Sequence, residues 1–298
     1  PNPVPGRLLT PLVSWLLGLR GEGLLLVVLA VCLALPVLAA RHALARGLGK
    51  AGAFLFAAAL ATTLVVRTSL HCGCYPDVVT YLALLGVWVW RARPGLAGLC
   101  WFLALLDHER ALLLGPWVLA VLLDASRDGP GRRRLWAWLA PALAAVLWFA
   151  LHAWLESRRP AEHSLASYLQ PLLTDPLHNL RPYGLRPLVG WGSALQWVWL
   201  VPLVWGIGLV RGRRWRTLTV QVGLPVAGAS VAMLAAYDWS RMAVLAFPCL
   251  LPALEAGLAA GGAWRQRLAW LLGAQALTPQ VFTAWYIVEI MPSWLLPW

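Results

Sequence analysis

The sequence predicts an all-α fold, a polytopic bundle of transmembrane helices with about ten apolar segments. Three observations carry this. The chain of 298 residues is 60% hydrophobic and 12% charged, a composition that belongs in a bilayer. Short polar gaps separate the apolar stretches, and every second gap is rich in arginine, as the retention of basic loops on the cytoplasmic side requires. Twenty tryptophans suit an interfacial belt, where an apolar ring with one N–H prefers the headgroup level. Length and composition fit one integral membrane domain over residues 1–298.

The segments follow in order. Leu8 to Leu19, between Arg7 and Arg20, is too short to span and reads as an interfacial or re-entrant helix. Gly23–Ala40 ends at Arg41, Arg46 and Lys50, and Ala51–Val66 ends at Arg67. Pro76–Trp90 leads to Arg91 and Arg93. Gly95–Asp124 is interrupted by Asp107-His108-Glu109-Arg110. Four ionisable residues in hydrocarbon cost several kcal/mol each, so two short helices meeting at a water-facing turn are expected. Leu135–Leu155, Leu188–Val210, Thr217–Ala236, Met242–Ala260 and Leu268–Ile290 complete the set.

Counting on alternate gaps puts 15 of the 24 basic residues on one side, which is expected to be cytoplasmic. Nine of the twelve acids fall on or near the other, outer side, among them Asp77, Asp107, Glu109 and Asp238. The parity holds only if 107–110 is a true turn. It also puts Pro1 outside, so a further span upstream is expected. The longest gap, 156–187, is an outer-face loop of the length that usually carries function.

The net charge of +12 would point to nucleic acid in a soluble protein. Here the arginines tip apolar segments and form no single basic face, so no nucleic-acid partner is expected. Cys32, Cys100 and Cys249 lie in apolar segments and read as small hydrophobes. Cys72 and Cys74, in His71-Cys72-Gly73-Cys74, have too few ligands for a metal site and read as free thiols or a strained local disulfide.

Three outer-side constellations could carry chemistry. In Asp107-His108-Glu109-Arg110, Arg110 suits a phosphate and an acid suits a base or a metal ligand. The competing reading is a self-satisfied turn whose acids cap the next helix. In Asp238-Trp239-Ser240-Arg241 the spacing of three fits either a helical ion pair or an arginine facing the same cavity as Arg110. Asp77 opens a helix, where any carboxylate is favoured. Arg7 suits a lipid phosphate or headgroup anchoring. No Walker loop, HExxH or GxSxG occurs. No pair of correspondingly broken helices, the mark of a transporter with inverted repeats, is read from the sequence.

Three local patterns also stand together. Arg7-Leu8-Leu9-Thr10-Pro11-Leu12 is an Arg-x-Leu-x-Pro element. Tyr75-Pro76-Asp77-Val78-Val79 precedes a span, a basic turn and Pro94-Gly95-Leu96-Ala97-Gly98, which leads into Leu105 to Leu113. Asp238-Trp239-Ser240-Arg241 precedes a Phe-Pro-containing span. Over roughly residues 5–260 the chain resembles the bacterial GT-C superfamily of polytopic membrane glycosyltransferases. The resemblance implies transfer of a sugar from a polyprenyl-phosphate carrier on the outer face of a bacterial inner membrane. Membrane lipid and the lipid-linked sugar would be its partners.

Asp107, Glu109 and Asp77 are the candidate catalytic residues, and Arg110, His108, Arg241, Asp238 and Arg7 the candidates for the lipid phosphate. A divalent cation is one option as cofactor. The family's usual base is an acid just before the Arg-x-Leu-x-Pro element, which in this chain falls upstream of Pro1. The alternatives are a transporter or flippase-like protein with an outward polar cavity, and a non-catalytic membrane assembly subunit.

Overall fold

A computed structural model describes residues 8–19, 23–71, 77–158, 175, 184–234, 238–284 and 287–293. Apolar helices run back and forth between two polar ends. Helices α1 (Leu9–Leu16) and α2 (Gly23–Ala45) come first. Pro36 lies inside α2, as membrane helices tolerate. Gly47 (φ +75°) and Gly49 (φ +71°) turn the chain through a backbone region that favours glycine. Next are α3 (Gly49–Ala61), α4 (Leu64–His71), α5 (Asp77–Val89) and α6 (Pro94–Asp107). A 3₁₀ turn (Glu109–Leu114) leads to α7 (Gly115–Ala125) and α8 (Gly131–Glu156).

The second half holds α9 (Arg186–Leu195), a 3₁₀ turn (Gln196–Trp199) and α10 (Leu200–Arg211). Then α11 (Trp215–Leu218) joins α12 (Leu224–Leu234) through a wide π turn, Thr219–Gly223. Helix α13 (Trp239–Val244) joins α14 (Leu250–Ala259) through the turn Phe247–Cys249. Helix α15 (Gly262–Leu277) and an antiparallel hairpin, β1 (Gln280–Ala284) with β2 (Ile287–Met291), close the chain.

Among the described residues, five helices are long and apolar enough to cross a membrane, or six if α3 and α4, bent by 53°, form one span. This marks an integral membrane protein. The count of ten segments is finer than these five or six spans: α5 and α6 are apolar but only 13 and 14 residues long. At 1.5 Å per residue they cover about 20 Å, against about 30 Å of hydrocarbon. The stretch Trp239–Ala259 is central, with 83% of its residues buried against 28–44% in the other four long helices. Outer faces are apolar and exposed, as with Leu33 and Val37 of α2, Leu143 and Val146 of α8, and Leu203 and Ile207 of α10. Apolar surface on this scale is the face a protein turns to lipid.

Two expectations are corrected. Leu268–Ile290 is not one span: Pro279 has no N–H to continue the helix and holds Thr278 extended (ψ 126°). The chain then forms the hairpin, a small exception to an all-α fold. Helix breaks are also commoner than the one expected at 107–110, with others at Thr62–Thr63, Gln196–Trp199, Thr219–Gly223 and Leu245–Cys249. The carbonyl freed at Thr62 accepts from Gln275 Nε2 (3.1 Å) and Gln280 Nε2 (2.9 Å).

The break at 107–110 is a true turn. Arg93 before α6 and Ala125 and Arg133 after it line one cleft at the same end of the bundle, so α6 leaves that end and α7 returns to it. Close helix approach fixes α6 against α8. A Cβ at Gly98 of α6 would stand 2.7 Å from Ala140 Cβ of α8, and small residues are what allow such contact. Arg7, Cys72 and Cys74, and most of the loop 156–187, lie outside the described residues.

Candidate functional site

Asp77 opens α5, where the partial positive charge of the helix start favours a carboxylate. Arg241, on the first turn of α13, reaches it. Arg241 Nε donates to Asp77 Oδ2 and Nη2 donates to Asp77 Oδ1 at 2.7 Å. Its third arm, Nη1, donates to Asp238 Oδ2 at 2.7 Å. Asp77 and Arg241 are buried. A buried charge is tolerated only when paired and hydrogen-bonded, and the forked guanidinium with two carboxylates meets that condition. Burial pushes the Asp238 carboxyl above the usual aspartate range, against the opposite pull of Arg241.

Tyr81, four residues after Asp77 and so on the same helix face, donates its hydroxyl to the Arg241 carbonyl (3.3 Å). Its ring meets Phe247 edge-on at 5.7 Å. Helices α5 and α13 are thereby joined at side chain, backbone and ring.

Asp107, the last residue of α6, is buried and ties three elements together. Thr10 Oγ1 of α1 donates to its Oδ1 (2.6 Å). Thr80 donates to Oδ2 through both its backbone N–H (3.2 Å) and its hydroxyl (2.8 Å). Thr80 lies in the first turn of α5, whose N–H groups have no partner within the helix. Asp107 thus caps α5 from outside it. The capping role weighed for this cluster is real, but the helix capped is α5, not the one that follows.

His108 follows in extended conformation and caps the 3₁₀ turn, its Nδ1 accepting from the Arg110 N–H at 3.3 Å. Its Nε2 lies 4.0 Å from Asp77 Oδ1. Glu109 Oε2 is 3.4 Å from His108 Nδ1, and Glu109 Oε1 is 3.9 Å from Arg110 Nε. Arg110 also lies against Met242 Sδ on α13.

The cluster has a floor and a lip. Asp77, Asp107, His108 and Arg241 form the floor and are buried. The side chains of Glu109, Arg110 and Asp238 form the lip, with exposures of 18%, 23% and 19%. Seven of the eight candidates read from the sequence therefore meet at one place, and Arg7 lies outside the described residues. Tyr81, Thr80 and Thr10 were missed. The spacing of four from Asp77 to Tyr81 was the available signal for the first, whereas Thr10 meets Asp107 only through the tertiary fold. Among the described residues, no group of three or more His, Cys, Asp or Glu side chains is placed to hold a metal ion.

The fold and site define a class: an integral membrane protein that carries a buried, ion-paired cluster at one end of its helix bundle. Compared with protein-family models, curated proteins and solved structures, the chain gives no match.

Proposed function

We propose that the chain is a GT-C-like membrane glycosyltransferase that takes a sugar from a polyprenyl-phosphate carrier at the Asp77–Arg241 end, on the outer face of a bacterial inner membrane. The observation that carries the reading is the meeting of seven ionisable residues from three separate stretches at one end of an apolar bundle. Ionisable groups at membrane depth are expensive and are a functional signal by default.

In this reading Arg110, the guanidinium at the lip, contacts the carrier phosphate, whose developing charge needs a cation. Glu109 beside it contacts the acceptor hydroxyl as a base. Arg241, engaged by Asp77 and Asp238, positions the floor, and Asp107 holds the turn that presents Glu109 and Arg110. His108 links floor and lip.

The test is sugar transfer or donor hydrolysis by the full chain in nanodiscs supplied with polyprenyl-phosphate sugars. Arg110→Ala and Glu109→Gln should each lower turnover by about 10²-fold or more, with unchanged thermal unfolding. Unchanged turnover in both variants removes this assignment.

A second reading, a transporter of an amphipathic solute, is favoured by the broken helices at Thr62–Thr63 and Leu245–Cys249, since transport sites are commonly built from such breaks. Solute flux in proteoliposomes without any group transfer would select it.

A further inference from the structure

At the end of the bundle opposite Asp77, an open cleft of about 580 Å³ is lined by Arg41, His42 and Arg46 of α2 and its end, by Arg91 and Arg93 between α5 and α6, and by Arg133 of α8. Five guanidiniums converge there from three places in the chain. Glu255 of α14 meets two of them, Arg46 and Arg91, and its carboxylate is already shared. Trp88 Nε1 donates to Oε1 at 2.6 Å and Arg91 Nη2 to Oε2 at 3.1 Å. His42 Nε2 lies 2.5 Å from Oε1, and Arg46 Nε lies 3.6 Å from Oε2.

The side chains of Arg41 and Arg93 have no ion-pair partner among the described residues. Five guanidiniums less one carboxylate leave a formal excess of four positive charges. Such a concentration of one sign in a concave site attracts a counter-ion, and the guanidinium fork matches phosphate.

Basic residues at helix ends by themselves do no more than orient a membrane protein. The neighbouring surface adds a second requirement. A trough of about 480 Å³ shares Arg93 and Arg133 with the cleft and continues over Pro94, Leu96, Pro130 and Trp136. Leu96 and Trp136 are exposed. At Gly95 the wall carries no side chain, and a Cβ built there meets nothing within 4 Å. A cationic bowl and an apolar trough are thus joined at two arginines.

We propose that this joined cleft binds a phosphate-bearing lipid. The head group sits among Arg41, Arg91, Arg93 and Arg133, and one hydrocarbon chain lies along Leu96 and Trp136. Basic pockets between transmembrane helices recognise anionic head groups in this way, and the trough selects a lipid over a soluble phosphate. The proposal stands independently of the transferase reading, whose site lies at the other end of α5.

The experiment is lipid retention by the full chain, purified in a neutral detergent and read by native mass spectrometry. The probes are phosphatidylglycerol, phosphatidylcholine and inorganic phosphate. One phosphatidylglycerol per chain should be retained, about tenfold or more over phosphatidylcholine. Arg41→Gln combined with Arg93→Gln removes two guanidiniums that hold no ion-pair partner among the described residues, and should abolish that preference with the fold intact by circular dichroism. Gly95→Leu, which fills the trough and leaves every arginine in place, should release the lipid. Equal retention of the two lipids, or full retention by the double variant, overturns the proposal. Inorganic phosphate competing as well as phosphatidylglycerol, with Gly95→Leu silent, also overturns it by making the ligand a soluble phosphate.

Discussion

Arg241 holds both carboxylate oxygens of Asp77 across 164 residues of sequence. The pair ties the start of α5 to the start of the most buried long stretch in the bundle. Tyr81 and Asp238 complete the tie from either side. Removing one partner of such a pair leaves the other charge buried, and this is what sets the cost.

Asp77→Ala should therefore destabilise the protein by about 3–5 kcal/mol, read as thermal or denaturant unfolding in detergent. Arg241→Met on the Asp77→Ala background should restore part of that loss, because the buried pair is then gone and the carboxylate left behind, Asp238, sits at the lip. A double variant that is simply the sum of its single variants removes this account of the pair.

Asp107 predicts differently from Glu109 although they are two residues apart. Asp107→Ala strips the acceptor from Thr80 and Thr10 and should lower stability by about 1–3 kcal/mol. Thr10→Val, which removes one of those donors, should cost less. Glu109→Gln should leave stability within about 0.5 kcal/mol, the range for partly exposed positions, while lowering any transfer activity. Equal stability losses at both positions argue against the floor-and-lip division.

The contact between α6 and α8 should tolerate no side chain at Gly98. A Cβ there meets Ala140 Cβ at 2.7 Å and the Ala140 backbone at 3.1 and 3.2 Å, and backbone yields less readily than a flexible side-chain tip. Gly98→Val should cost about 1–3 kcal/mol by overpacking, with partial relief from Ala140→Gly. Yield and melting temperature of the two variants, alone and combined, check this.

The Thr62 carbonyl supplies a fourth prediction. Gln275 and Gln280 both cap it, so either single alanine variant leaves one donor in place. The double variant orphans the carbonyl and should lose about 1–3 kcal/mol, clearly more than the two single losses added. Additive losses would mean that the caps act independently.

How much of the site was legible follows from the range of each signal. Asp107 to Arg110 and Asp238 to Arg241 stand out because charges in apolar stretches are costly wherever the chain folds. Asp77 stands out because it opens a helix. What each does was not legible. The sequence offered Arg241 as the i+3 partner of Asp238, and it is that, but its other two donors go to Asp77. The meeting of Glu255 with His42, Trp88 and Arg91 was not legible either, because it joins three distant stretches. The hairpin after Pro279 was missed because apolar content from Leu268 onward masked a single proline.

The sequence by itself determined that this is a helical membrane protein, that its chain reverses at 107–110, and which ionisable residues stand out from the apolar background. These follow from composition, segment ends and the cost of charge in hydrocarbon, all of which act locally. Only the tertiary structure decided that Asp77 belongs to Arg241, that Asp107 caps α5, and that arginines from separate turns enclose one cleft. Hydrogen bonds and ion pairs operate over a few ångströms in space, and the packing of α5, α6 and α13 brings those atoms within that range.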